Sequence, residues 1–407
     1  MEKPVIDKQN IAYNIDEILE KLMELLESFH CQNDSVWSGN IGQLLYAIYF
    51  YKYMDKPEWG EKALSIIEIL FEKLENMENP NLYGASLANG ISSLGFVLTI
   101  MEREEIGDFE EQLSLFDKII YDGSIRLIEK NNTDYLYGIT GAINYLSLRT
   151  NKPLVKEYVE YLVDCLAAKV IYTPKGSYFH NSHLDDISTK NIEIDFGLAH
   201  GQCGILLTLL KIHKQNIACE KLEKILLNGV NFILNHKTNT DFQNEKYSFF
   251  PVKFNENFSW DSPQNYKMYS NRLGWCYGDL NQLLLLYKAG NALNKPQWVI
   301  FADKMGEVIV QRKKIKETDI SDSHFCHGSS GLVQFYKRLF ETSQNIIYDD
   351  AANYWLKATL VSLSKEFITY NKERYGELLM GFGATSLVIL SEIHKESQEW
   401  DSIFLLS

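Results

Sequence analysis

Two glycine turns in the C-terminal half of the chain carry residues that bind soft metals. Cys276 stands two residues before Gly278, and about fifty residues later Cys326 and His327 stand immediately before Gly328. Thiolate sulfur and imidazole nitrogen are the ligands that zinc prefers, and catalytic zinc sites combine three protein ligands with one open position. The three residues therefore predict a catalytic zinc site, provided that the fold brings the two turns together.

The same kind of turn occurs seven times. Each copy consists of a glycine, two further residues, a small or turn-forming residue and then an apolar run. We number these turns one to seven by their first glycines, which are Gly39, Gly90, Gly138, Gly201, Gly278, Gly328 and Gly383. Successive copies begin 48 to 77 residues apart, which leaves room for two helices in each repeat.

The segments between the turns have helical periodicity. Apolar residues at steps of three and four, with charges on the opposite side, predict one half-buried helix per repeat. These helices are predicted at 15–29, 62–77, 109–128, 155–170, 221–234, 298–310 and 352–367. After each turn the sequence becomes almost continuously apolar, as in 44–51, 205–210 and 283–287. That pattern is typical of a helix buried on all sides.

The alternation predicts an all-α protein with seven inner and seven outer helices. An open array would leave two unprotected ends, so we predict closure into an α/α-toroid, with an open solenoid as the alternative. In a ring, all seven turns lie around one mouth. The intervals 169–194 and 235–269 lack helical periodicity. We predict loop or strand insertions there, within one domain spanning 1–407, that either grip a substrate or merely elaborate the surface.

The composition excludes several classes of protein. A net charge of −14 and a pI near 5.2 argue against nucleic acid as a partner and are compatible with a basic peptide. The first residues contain no apolar signal core, and no run is long enough to span a membrane, so we expect a cytoplasmic protein. Its six cysteines should then be reduced, and Cys31, Cys165 and Cys219 lie in helical patterns where cysteine packs as a small hydrophobe.

The register of the turns supports the metal prediction. Cys276 and Cys326 occupy the same position, two residues before the glycine, in turns five and six. His327 stands immediately before the glycine of turn six, and His200 holds that position in turn four. Because neighbouring repeats of a ring are neighbours in space, the sequence places His200 beside the predicted ligands.

Three residues near these turns could assist a reaction. The ordinary pKa of His200 suits proton transfer near neutral pH. Arg272, four residues before turn five's cysteine, is either an oxyanion-stabilising group or an ordinary surface arginine. Asp134 precedes the glycine of turn three by four residues and could orient either His200 or Arg272. Cys203, inside turn four, and His324, in the loop before turn six, are the nearest competing metal ligands.

Four motifs together resemble a known family. They are Gly197-Leu-Ala-His-Gly201, Gly274-Trp-Cys-Tyr-Gly278, Cys326-His-Gly328 and, more faintly, Asp134-Tyr-Leu-Tyr-Gly138. In this order they are similar to the motifs of the lanthionine synthetase C-like cyclases of lantibiotic biosynthesis. The resemblance covers essentially the whole chain, including the seven-fold repeat. The motifs are specific as a set, although none is specific alone.

The resemblance implies a zinc enzyme that closes thioether rings. In this family, Cys thiolates of a dehydrated precursor peptide, carrying its leader, add to dehydroalanine or dehydrobutyrine. The implied zinc ligands are Cys276, Cys326 and His327. The implied acid/base is His200, and the implied supporting residues are Asp134, Arg272 and Tyr277. The family's usual partners, a dehydratase and a peptide transporter, further imply an assembly at the inner face of the cell membrane.

Two other classes of protein are also compatible with the sequence. A prenyltransferase-like zinc enzyme is also an α/α ring that activates a thiol, but it uses an Asp, Cys and His ligand set and a second helical subunit. A non-catalytic member would bind a thiol, such as glutathione, or a peptide at an intact zinc. His200 distinguishes catalysis from binding, because a pure binder does not need it.

Overall fold

The computed structural model describes residues 14–31, 33–184, 193–255, 268–395 and 399–407. The helices in these ranges form two concentric layers. The outer helices are α1 (Ile15–Glu27), α3 (Pro57–Glu75), α5 (Glu110–Glu129), α7 (Pro153–Ala167), α9 (Cys219–Leu234), α11 (Pro296–Ile309) and α13 (Ile346–Thr369). The inner helices are α2 (Asn40–Met54), α4 (Ile91–Arg103), α6 (Ile139–Leu146), α8 (Gln202–Lys214), α10 (Asp279–Ala292), α12 (Ser329–Ser343) and α14 (Gly383–His394). A shorter helix, Ile315–Thr318, lies between α11 and α12.

The inner helices close a ring. Each packs against the next in chain order, and α14 packs against α2 as well as against the first outer helix, α1. The prediction of an α/α-toroid is therefore confirmed, and the open solenoid is wrong. Closure buries the apolar faces that the two end repeats of an open array would expose to water.

The two layers differ in burial as their sequences predict. In α2 every residue from Ile41 to Phe50 is buried, whereas α1 buries only Ile18, Leu19, Leu22, Met23 and Leu26 along one face. Full burial of one such side chain stabilises the fold by roughly 1.5–3 kcal/mol. None of the helices in the described ranges combines the length and apolar composition that a membrane span requires.

Two outer helices begin five or six residues earlier than their apolar periodicity predicts. α3 begins at Pro57 rather than at residue 62, and α13 begins at Ile346 rather than at residue 352. Proline suits the first position of a helix because that position needs no N–H donor. The side chain of Asn345 caps α13 by accepting from the backbone N–H of Ile347. Local capping chemistry, not periodicity, therefore fixes these two ends.

Glycine in the turns permits close packing of the backbone. A Cβ atom on Gly204 would lie 2.1 Å from the carbonyl oxygen of Leu198 in the preceding loop. Turn five additionally places Gly278 at a φ of +133°, which an L side chain rarely adopts. The recurrent glycines thus allow each loop to fold back onto the first turn of the inner helix.

The two intervals without helical periodicity contain short strands. β1 (Val170–Thr173) and β2 (Gly176–Phe179) form a hairpin, while β3 (Glu193–Asp195) pairs antiparallel with β4 (Lys253–Asn255) from the second interval. The two intervals are thus hydrogen-bonded to each other beside the fourth turn. Residues 185–192 and 256–267, which belong to the predicted insertions, lie outside the described residues.

The C-terminal segment fills the middle of the ring. Its helical turn, Trp400–Phe404, is buried apart from one residue, and the Trp275 indole N–H donates to the Phe404 carbonyl at 2.8 Å. Asp401 is fully buried and accepts from the guanidinium of Arg338 at 2.6 and 2.8 Å. The C-terminal segment thus packs against inner helices and against a residue of turn five in the middle of the ring.

Candidate metal centre and acid–base pair

Backbone hydrogen bonds between neighbouring turns arrange the candidate residues at the mouth. The N–H of Ala199 in turn four donates to the carbonyl of Cys276 in turn five at 3.3 Å. The N–H of Trp275 in turn five donates to the carbonyl of Cys326 in turn six at 2.6 Å. These contacts fix turns four, five and six side by side, as the repeat register predicts.

The three predicted metal ligands come together. The side-chain ligand atoms of Cys276, Cys326 and His327 all lie within 4.8 Å of one another. Tetrahedral zinc, with bonds of about 2.0–2.3 Å, holds its ligand atoms roughly 3.3–3.8 Å apart, so small side-chain rotations suffice to form a site. Within the described ranges no carboxylate joins this group, and the Asp, Cys and His ligand set of a prenyltransferase-like enzyme is not found.

The surroundings of Cys276 and His327 favour metal binding, whereas the hydrogen bond to Cys276 and burial raise the pKa of Cys326. A hydrogen bond from Cys326 lowers the pKa of the Cys276 thiol, and the nearby Arg272 guanidinium lowers it further, against the effect of burial. Burial, followed by the positive charge of Arg272, lowers the pKa of His327. Thiolate and neutral imidazole are the protonation states that zinc binds. The donor set and its surroundings therefore fit a zinc ion.

The two competing ligands lie elsewhere. Cys203 is fully buried in α8, where burial raises the pKa of its thiol. The ring of His324 packs 4.4 Å from that of Tyr370, and its Nδ1 lies 3.1 Å from the Gly381 carbonyl. Neither residue belongs to the group of ligand atoms formed by Cys276, Cys326 and His327.

His200 forms a hydrogen-bonded pair with Asp134. Nδ1 of His200 lies 2.7 Å from Oδ2 of Asp134, whose carboxylate is fully buried, while about a third of the histidine side chain is exposed. Burial alone would lower the pKa of His200, but the hydrogen bond and charge of Asp134 outweigh it and raise the pKa. Because the carboxylate accepts from Nδ1–H, Nε2 remains as the atom that can exchange a proton with a substrate.

Arg272 has a different carboxylate partner. Its Nε and Nη2 donate to one oxygen of Asp319 at 2.8 and 2.5 Å, and its Nη1 donates to the Tyr277 hydroxyl at 2.8 Å. Of the two alternatives for Asp134, the structure therefore shows contact with His200. Since the Tyr277 oxygen accepts from Arg272, its own O–H is available to donate to a substrate oxygen.

Several residues at the mouth that contact or surround His200 are not predicted from the sequence. Asn181 contacts both Asp134 and the backbone of His200, and the rings of Tyr137 and His183 lie 6.2 Å from the His200 ring. Asn181 and His183 fall in the first interval without helical periodicity, so no register links them to the turns. Tyr137 immediately precedes the glycine of turn three, as His200 does in turn four. This equivalent position is the one sequence feature that indicates its place beside His200.

Comparisons with known proteins agree with this fold. The model of the family described as lanthionine synthetase C-like protein matches residues 30–405, and the chain therefore belongs to that family. The nisin biosynthesis protein NisC of Lactococcus lactis subsp. lactis is 23% identical over 386 residues, covering 86% of this chain and 85% of NisC. The solved structure of a nisin cyclase matches with a TM-score of 0.76 and 19% identity, covering 98% of each chain.

Proposed function

We propose that this protein is a zinc-dependent lanthionine synthetase. Its reaction is the addition of a Cys thiolate in a dehydrated precursor peptide to the β-carbon of dehydroalanine or dehydrobutyrine. A carbon–sulfur bond forms, the carbon–carbon double bond is lost, and the resulting enolate takes a proton at its α-carbon. Membership of the lanthionine synthetase C-like family and similarity to NisC support this reaction and this class of substrate.

The proposed zinc ligands are Cys276, Cys326 and His327. Three protein ligands would leave one coordination position of the ion for the substrate. When bound there, zinc supplies the acidity that converts the peptide's thiol into a nucleophilic thiolate. The half-buried Arg272, which lowers the pKa of Cys276, places further positive charge beside the same position. This charge favours an anionic sulfur over a neutral thiol.

His200 is the proposed acid/base. The hydrogen bond to Asp134 holds Nδ1 as the donor, so that Nε2 takes the proton of the thiol or delivers one to the enolate carbon. The raised pKa keeps the imidazolium populated closer to neutral pH, where a proton donor is needed. Asp134 acts by fixing the ring and its tautomer, and its own carboxylate is buried away from water.

Arg272 and Tyr277 are proposed to stabilise the enolate oxygen. Their mutual hydrogen bond at 2.8 Å leaves the Tyr277 O–H as a donor, and Asp319 restrains the guanidinium from the other side. Donors that are already oriented before the reaction stabilise developing negative charge without reorganisation. Tyr277 follows Cys276 directly and Arg272 precedes it by four residues, which supports a role for this donor pair beside the proposed thiolate.

A single observation carries the proposal: His200, which pairs with Asp134, lies on turn four, and this turn is hydrogen-bonded to the adjoining turns that carry the metal group. A protein that only binds thiols needs the metal group alone. A buried carboxylate that orients an accessible imidazole is the arrangement of a proton-transfer catalyst. We therefore favour catalysis over the non-catalytic alternative.

The test combines metal analysis with a cyclisation assay. We expect about one zinc per chain in the parent, and loss of both zinc and cyclisation of a dehydrated peptide in Cys276→Ala and His327→Ala. Cys165→Ala, a cysteine on the outer helix α7, is the matched control and should retain both. A zinc-free parent that still cyclises the peptide would contradict the metal-dependent mechanism.

The wider assembly remains a prediction from the family resemblance. It comprises the leader of the precursor peptide, a dehydratase and a peptide transporter at the inner face of the membrane. Co-purification of the chain with a dehydratase and a transporter tests this part separately, and its failure leaves the proposed reaction intact.

A further inference from the structure

The junction between turns three and four differs from the others in the ring. At the remaining six junctions a backbone N–H of one turn donates directly to a carbonyl of its neighbour, as Ala88 does to Leu136 at 2.7 Å. Among the described residues no such bond joins turns three and four. The N–H of Leu136 instead donates at 2.8 Å to Oδ1 of Asp134 within its own turn.

A segment of the first insertion occupies this junction. The Ser182 N–H donates to the Asn131 carbonyl at 3.0 Å, and the Thr133 hydroxyl donates to the His180 carbonyl at 2.9 Å, which fixes the segment to turn three. On the other side, Phe179 and Gln202 exchange two hydrogen bonds of 2.9 Å at the start of α8. The insertion thus replaces the missing contact between the two turns.

Asn181 lies at the centre of this segment and contacts both members of the acid–base pair. The residue is 3% exposed. Its Nδ2 donates to Oδ2 of Asp134 at 2.9 Å and to the backbone carbonyl of His200 at 3.0 Å. Its Oδ1 accepts from the His183 N–H at 3.1 Å. Every polar atom of the amide therefore has a partner, and the amide's orientation is fixed.

We propose that Asn181 is a positioning residue for cyclisation, holding the Asp134 carboxylate and the His200 backbone at a fixed separation across the junction of turns three and four. This inference rests on the proposed function. The oxygen of Asp134 that accepts from Asn181 is the one that accepts from His200 Nδ1. With two donors on one oxygen, the carboxylate cannot rotate without breaking both bonds.

The physical requirement is accuracy of placement. A proton-transfer group that is displaced by about 1 Å loses roughly 10²-fold in rate. At the other junctions backbone bonds provide this accuracy, whereas at the junction that carries the acid–base pair a side-chain amide provides it. Through Asn181, the first insertion therefore positions the acid–base pair.

Isosteric substitution separates hydrogen bonding from packing. Asn181→Asp keeps the side-chain volume but replaces the Nδ2 donor with an oxygen that faces two acceptors, Oδ2 of Asp134 and the His200 carbonyl. Asn181→Ala removes the side-chain amide altogether. We expect kcat to fall 10- to 100-fold in both variants, with KM within about three-fold of the parent and zinc content unchanged. Ser182→Ala is the control, because its hydroxyl bonds the Lys130 carbonyl at 2.6 Å without touching the pair. It should retain at least half of the parental kcat.

A second readout does not depend on catalysis. In protein labelled with ¹⁵N-histidine, the His200 signal, identified by its absence in His200→Gln, should show the Nδ1–H tautomer in the parent. We expect this tautomer to become mixed with the Nε2–H form in both Asn181 variants. An unchanged tautomer, or a kcat equal to that of Ser182→Ala, would overturn the positioning role. A parent without cyclase activity would instead contradict the proposed function, while the tautomer measurement would still decide the role of Asn181.

Discussion

Two histidines near strand β3 show how one side chain serves different purposes. His200 follows β3 in turn four, bonds a carboxylate and keeps about a third of its side chain exposed. His236 follows α9, is 1% exposed, and lies among the rings of Phe196, Phe232 and Phe254 at 4.4–5.6 Å. Its Nδ1 lies 2.7 Å from the Phe232 carbonyl.

The surroundings move the two pKa values in opposite directions. Asp134 raises the pKa of His200 against the effect of burial. Burial lowers the pKa of His236 to about 4, and the nearby charge of Lys175 acts in the same direction. His200 can therefore carry a proton near neutral pH, whereas His236 stays neutral and packs as an aromatic residue. The difference lies in the partner that tertiary structure provides, not in the residue.

Truncation of His200 should have the largest effect on the reaction. We expect His200→Ala to slow cyclisation by roughly 10²–10⁴-fold, the usual contribution of a positioned acid/base. Because the buried Asp134 carboxylate keeps its hydrogen bonds from Asn181 and Leu136, the melting temperature should change little, and zinc per chain should equal that of the parent. Cyclisation at the parental rate would show that another group transfers the proton.

Truncation of His236 should instead affect stability. We expect His236→Ala to lower the free energy of unfolding by about 2–5 kcal/mol, as for other large side chains removed from a core. Urea unfolding measures this change. Cyclisation by the folded fraction should remain near the parental rate, and a selective loss of activity without destabilisation would contradict the structural role.

Acid should remove the stabilisation that depends on neutral His236. Its pKa is about 4 in the folded protein and about 6.5 when unfolded, so stability is complete above pH 6.5 and is lost as the pH falls towards 4. Between pH 7.5 and pH 5 this residue should account for a loss of about 2 kcal/mol. Urea unfolding of the parent and of His236→Leu at pH 7.5 and at pH 5 measures this loss of unfolding free energy, because only the parent contains the histidine.

The corresponding effect of His200 should be smaller and of opposite sign. Because its folded pKa is raised above the ordinary value of 6.5, its stabilisation is complete below pH 6.5 and is lost as the pH rises through the folded value. Partial exposure screens the pair with Asp134 and limits the effect. Between pH 6 and pH 9 the parent should lose slightly more unfolding free energy than His200→Gln, and an equal or smaller loss would indicate that the pair is not formed in solution.

The sequence by itself determined the repeat and most of the candidate site. Seven glycine turns, each followed by an apolar run, predicted the ring because glycine at a close backbone contact and a helix apolar on all sides are local properties. The same register predicted that Cys276, Cys326 and His327 would meet near His200. Helix starts were less accurate, since the caps at Pro57 and Asn345 extend beyond the apolar periodicity.

Only the tertiary structure decided which partners the site residues have. Arg272 is paired with Asp319, and His200 with Asp134. Asn181, from an insertion without helical periodicity, lies at the junction between turns three and four. The tertiary structure also placed the C-terminal Trp400–Phe404 turn in the centre of the ring. These contacts join residues of different repeats or of irregular segments, where no regular spacing records proximity. A residue's type and register can predict its place on an element, whereas its hydrogen-bond partner depends on how distant segments pack.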